Sequence, residues 1–173
     1  MSSQAGPPLL APVLTAAATR FALPMIMSRK SIKSIKYIEN ENLRGRFNSC
    51  KSYFLSRGIP NGERLAFHGT SANLDSIIKD NLQLSRCKRF AFGKGIYFSE
   101  FPETSQIYGK HLLLFRVMLG NPYHGHELTI PEQFQSKIVR PNQEGKASMI
   151  IIDKEEQILP AFIIELEDIC GTK

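Results

Sequence analysis

Three apolar runs constrain this chain most: Leu112 to Leu119, Met149 to Ile152 and Phe162 to Leu166 are each rich in branched side chains and almost free of polar interruptions. A strand with one wet face alternates apolar and polar residues, so a continuous run predicts a strand covered on both faces. Helical spacing is present elsewhere to supply that cover. Ile38, Leu43, Phe47 and Tyr53-Phe54 recur with polar faces between them and stop near Gly58-Ile59-Pro60-Asn61-Gly62. Leu74, Ile77, Ile78 and Leu82 recur behind Asn73, a capping residue, with Asn81 near the end. Clustered strands with separate helices read as α+β. Between Leu119 and Met149, Gly120-Asn121-Pro122, Gly125, Pro131 and Pro141-Asn142 punctuate a long, irregular connection. With 173 residues, 42% of them hydrophobic, the chain can bury one sizeable core, and length predicts one domain.

The net charge of +6 is unevenly placed. Arg20, Arg29, Lys30, Lys33 and Lys36 all precede the first acid, Glu39, and without those five the balance is about +1. The core is nearly neutral, which disfavours nucleic acid as a partner. Residues 1–28 contain no acid and carry Pro7, Pro8, Pro12 and Pro24, so they read as a flexible leader before a domain at 29–173. An organelle presequence shares that composition, but the prolines interrupt a long amphipathic helix. Three scattered cysteines, Cys50, Cys87 and Cys170, argue against a disulfide framework and a zinc cluster and point to a reducing, intracellular setting, nuclear or cytoplasmic. No apolar run approaches the roughly 18 residues that cross a bilayer, so no membrane partner is expected. A monomer is the expectation.

Two short motifs carry the chemistry. His68 follows the apolar Leu65-Ala66-Phe67 and precedes Gly69-Thr70, where a strand opens into a turn: the imidazole can leave the sheet and Gly69 lets a ligand approach the backbone. Gly93-Lys94-Gly95 precedes Ile96-Tyr97-Phe98, whose alternation turns Tyr97 away from its apolar neighbours. Ser105 and Tyr108 follow at close range. The set suits an amide-bearing aromatic ring and its sugar. Competing readings are weaker: Gly93-Lys94-Gly95 lacks the earlier glycine and the hydroxyl residue of a phosphate loop, His124 and His126 have no third ligand at diagnostic spacing, and Gly-x-Ser-x-Gly is absent. No metal site is expected. The basic stretch from Gln83 to Phe92, with Arg86, Lys88 and Arg89, reads as a loop placed to cover the site.

In this order, from roughly Ile32 to Leu166, the motifs resemble the poly(ADP-ribose) polymerase catalytic domains, diphtheria-toxin-like ADP-ribosyltransferases. The landmarks are an Ile35-to-Phe47 stretch like the family's opening helix, Leu65 to Thr70, Phe92 to Phe98, Ser105 with Tyr108, and Gln157 to Ile164. The resemblance implies two packed, mainly antiparallel sheets flanked by helices with an NAD cleft between them. It implies NAD as co-substrate, with nicotinamide released and ADP-ribose moved to a protein acceptor. His68 and Thr70 would hold the adenosine ribose, Gly69 and Ser105 the carboxamide, and Tyr108 and Tyr97 the two faces of the pyridinium ring. The family's His-Tyr-Glu triad corresponds to His68, Tyr97 and, at the third place, Ala161 in Leu159-Pro160-Ala161-Phe162. The glutamate is missing. Glu165 should stand roughly 13 Å further along an extended strand, while Glu100 and Glu103 lie nearer Tyr97 in sequence. Family members without the glutamate are mono-ADP-ribosyltransferases or inactive binding domains, so polymer synthesis is not expected.

Overall fold

A computed structural model describes residues 30–87, 91–140 and 148–168. The expected leader at 1–28, Lys88 and Arg89 of the expected covering loop, Pro141-Asn142 and Cys170 lie outside the described residues. Eight strands, β1 (Lys30–Tyr37), β2 (Glu63–Thr70), β3 (Ile96–Ser99), β4 (His111–Met118), β5 (Pro122–His124), β6 (Ser136–Val139), β7 (Met149–Ile152) and β8 (Ile158–Asp168), pair in the order β1-β8-β4-β2-β3-β7-β6-β5. Among the described residues three α-helices, α1 (Glu41–Ser56), α2 (Leu74–Asp80) and α3 (Pro102–Gln106), accompany them. The fold is α+β, and every pairing is antiparallel except β5 with β6.

The expected pair of packed sheets takes the form of two four-stranded halves. β2 pairs with β4 along its whole length, but meets β3 through the single register pair Phe67 and Ser99. Past that pair the strands diverge, and the cleft opens there. Side chains hold the halves together: Leu113 and Phe115 of β4 share a buried cluster with Ile96 and Phe98 of β3 and Ile150 and Ile152 of β7, and the Phe98 and Phe115 rings meet edge to face at 5.3 Å. Leu112 and Leu114 point the other way, into a cluster with Phe67, Phe162 and Ile164. The uninterrupted apolar run of β4 is thus covered on both faces, as its sequence requires.

The expected opening helix over Ile35 to Phe47 is corrected. Residues Lys30–Tyr37 form β1, which pairs with β8, and the helix begins only at Glu41 behind Asn40. Ile32 and Ile35 are three apart, a helical spacing. A register shift between Ile32 and Ser34 leaves Lys33 out of the ladder, so both isoleucines reach the same apolar cluster from a strand. The segment between Leu119 and Met149, expected to be irregular, contains β5 and β6. Other expectations hold: Asn73 caps α2 through its side chain to the N–H groups of Asp75 and Ser76, and α1 stops at Gly58, whose φ of 67° suits glycine. Among the described residues no helix is long and apolar enough to cross a membrane.

Candidate functional site

Where β2 and β3 part, α2 and α3 wall a cleft of about 640 Å3 that gathers His68, Gly69, Thr70, Tyr97, Ser105 and Tyr108. His68 bridges the divergence itself. Its Nδ1 lies 2.8 Å from the Tyr97 carbonyl oxygen, standing in for a missing ladder bond. A carbonyl only accepts, so Nδ1 carries the proton and Nε2 is left as an acceptor in the neutral ring. Burial lowers the pKa below the ordinary 6.5 and outweighs the opposing pull of the Tyr97 carbonyl. The ring packs against Phe98 and Phe115, at centroid distances of 5.6 and 6.1 Å.

Tyr97 does two things at once. Its backbone oxygen orients His68, and its side chain lines the cleft, while Ile96 and Phe98 turn into the core as the alternation predicts. The hydroxyl donates to Gly93 O at 2.6 Å and accepts from Phe92 N–H at 2.9 Å. Burial raises its pKa, so it stays a phenol. Gly69 is required by packing as well as by access: a Cβ there would lie 1.6 Å from the Ser105 carbonyl oxygen, because α3 rests directly on β2. Ser105 is buried and its Oγ donates to Phe67 O at 3.0 Å, which leaves the oxygen lone pairs to accept. Thr70 Oγ1 accepts from Ala72 N–H and keeps its own proton to donate. Tyr108 stands at the rim, 57% exposed, with its ring available for stacking.

Ala161 is not brought into this cleft. It lies on β8, 3% exposed, in the cluster with Phe67, Leu114 and Phe162, beside the β4 to β8 register shift. None of the alternative carboxylates replaces it: Glu100 pairs with Arg64 at 3.5 Å, Glu165 is bound by Lys36 and Ser34 at 2.6 and 2.7 Å, and neither these nor Glu103 line the cleft. Among the described lining residues there is no Asp or Glu, and Arg86, which donates to Ser76 Oγ at 2.7 Å, is the one with a fixed charge.

Sequence reasoning missed the contribution of α2. Asn73, Ser76 and Ile77 all line the cleft, and their spacing of three and four was the available signal, since it puts them on one helix face. Among the described residues no group of three His, Cys, Asp or Glu side chains converges as a metal site. The family model of the Poly(ADP-ribose) polymerase catalytic domain matches residues 16–167 of the chain. No curated protein matches it.

Proposed function

The chain belongs to the poly(ADP-ribose) polymerase catalytic-domain family, and from that premise we propose that it moves one ADP-ribose unit from NAD to a protein acceptor and releases nicotinamide. The observation that carries this reading is a cleft that gathers six motif residues and has no carboxylate among its described lining. In a polymerising enzyme a carboxylate at the reacting ribose polarises the hydroxyl on which the next unit grows; among the described lining residues that task has no candidate.

The residues present suit the earlier steps. His68 Nε2 accepts a hydrogen bond from an adenosine ribose hydroxyl, with Thr70 donating on the same side. The carboxamide of nicotinamide meets the Gly69 backbone and Ser105. Tyr97 and Tyr108 hold the pyridinium ring between them, where a cationic ring gains from aromatic faces. As the bond between ribose C1′ and the pyridinium nitrogen breaks, its electron pair goes to the nitrogen, the ring becomes neutral, and positive charge develops on the sugar. The acceptor's nucleophile then bonds to C1′ and supplies the negative character that the cleft lacks.

Incubation with isotopically labelled NAD and a mixed protein acceptor, read by mass spectrometry, tests this. Single ADP-ribose units on protein, lost in Tyr97→Ala, are expected; chains of several units would overturn the mono-transfer reading. The position of Ala161 outside the cleft favours a second reading, a catalytically inactive module that binds NAD, ADP-ribose or a protein partner. NAD binding without cleavage by the wild type selects it.

A further inference from the structure

Lys137 is fully buried on β6, at 0% exposure, and no motif accounts for it. Its Nζ donates to two backbone carbonyls, Phe92 O and, at 2.6 Å, Glu127 O. An ammonium taken out of water survives only where oxygens replace its hydration, and here both oxygens belong to loops. Burial pulls its pKa down, and the Glu127 charge opposes that pull.

The register shows what this lysine faces. Tyr97 on β3 is paired with Ile151 on β7, and Ile151 with Lys137 on β6. Directly paired residues project from the same face, so Tyr97 and Lys137 rise from one face about 10 Å apart, two strand spacings. The segment from Ala91 to Gly95 lies between them over Ile151: a Cβ on Gly95 would be 2.3 Å from Ile151 Cγ2. Phe92 is held at both of its backbone groups, its N–H by the Tyr97 hydroxyl at 2.9 Å and its carbonyl by Lys137. Gly93, at φ 101°, is pressed against Leu128 O, next to the Glu127 carbonyl that Lys137 also holds.

We propose that Lys137 is a positioning residue for the NAD cleft: it clamps Phe92 from the side opposite Tyr97 and thereby fixes the tyrosine as the cleft wall. The proposal rests on the reading of Tyr97 as a wall of the NAD site. It does not touch substrate. Its link to Tyr97 passes through one residue, Phe92, so its effect on the cleft should be coupled to the Tyr97 hydroxyl.

Hydrogen exchange and NAD titration of the full chain test this with Lys137→Met, Tyr97→Phe and the double variant. In Lys137→Met, exchange at Phe92 and neighbouring amides should quicken at least tenfold while β4 and β8 keep their protection, and the NAD dissociation constant should rise about tenfold. The double variant should bind NAD no worse than about the weaker single, because both changes release the same segment. Unchanged exchange over 91–95 in folded Lys137→Met, or losses that simply multiply in the double variant, would overturn the proposal. If the methionine variant does not fold, Lys137→Gln, which keeps N–H donors without the charge, replaces it; there, slower release of the segment and a smaller loss of NAD affinity are expected, and unaltered exchange counts against the clamp. A wild type that binds no NAD removes the proposed function, while the exchange measurement still decides the clamp.

Discussion

His68 illustrates how one side chain can serve fold and site together. Its Nδ1–H closes the gap between β2 and β3, and Nε2 is thereby committed to accepting. Replacing it with Ala leaves a partner hydroxyl of the ligand unsatisfied, and NAD affinity should fall by about 1–3 kcal/mol; calorimetric titration of the folded variant checks this. The same burial makes stability depend on pH. The folded pKa lies below the ordinary 6.5, so as pH falls through that value the unfolded chain takes up the proton first, and stability declines toward acid. His68→Gln should flatten this slope as pH falls below the ordinary 6.5 in denaturant titrations; an unchanged slope would place the acid sensitivity elsewhere. Ala161 is the contrasting residue. A glutamate there would start in an apolar cluster, with Arg44 and Arg116 lining the small gap beside it, so it would turn to them and not to the cleft. Ala161→Glu should cost about 1–3 kcal/mol of stability, moderated by those arginines, and give no gain in NAD cleavage. A gain measured by nicotinamide release would put position 161 at the reacting ribose.

At the scale of elements, α1 depends on one side chain at its start. Asn40 Oδ1 accepts the Leu43 N–H at 3.1 Å, while its Nδ2 donates to Ile78 O at 2.8 Å and Lys79 O at 3.1 Å, tying the start of α1 to the end of α2. Asn40→Ala removes the cap and both ties, and should destabilise the protein by about 1–2 kcal/mol; Asn40→Asp, which keeps only the cap, should lose less in thermal unfolding. Equal losses would mean that the cap contributes little and that the ties to α2 carry the effect. The elements that sequence made legible are those whose signal is local: the continuous apolar runs of β4, β7 and β8, the Asn73 cap, and the glycine stop of α1. β1 is not legible as a strand because a register shift at Lys33 breaks its alternation, and such a shift depends on the partner strand, which local sequence does not show. β5 and β6 are short, three and four residues, and owe their pairing to neighbours in space. The cleft residues His68, Gly69, Thr70, Tyr97, Ser105 and Tyr108 could be read because they cluster in ordered motifs; the helical spacing of Asn73 and Ser76 is legible too, but that this face turns to the cleft depends on packing between elements, as do the contacts of Lys137.

For the whole molecule the decisive feature is the seam between the two halves of the sheet. Backbone pairing across it is minimal, so its geometry rests on the buried rings of Phe98 and Phe115 and on the His68 bridge. The cleft lies at that seam, and anything that loosens the ring contacts should widen or blur the site. Removing Phe98, 2% exposed, leaves a cavity against both Phe115 and His68, and Phe98→Ala should cost about 3–5 kcal/mol. Phe47 offers a control of equal size: it is 0% exposed on α1, in a separate cluster with Met118 and Leu159. Phe47→Ala should cost a similar amount without disturbing the seam. Both variants can be placed on one denaturant scale, and NAD affinity measured where each is still folded. Phe98→Ala should then bind NAD at least tenfold more weakly than Phe47→Ala at matched stability, because its cavity borders the His68 imidazole, which the proposed function sets against the ligand. Equal affinities at matched stability would mean that the seam tolerates a missing ring, and that the cleft is held by the β4 and β7 backbones instead.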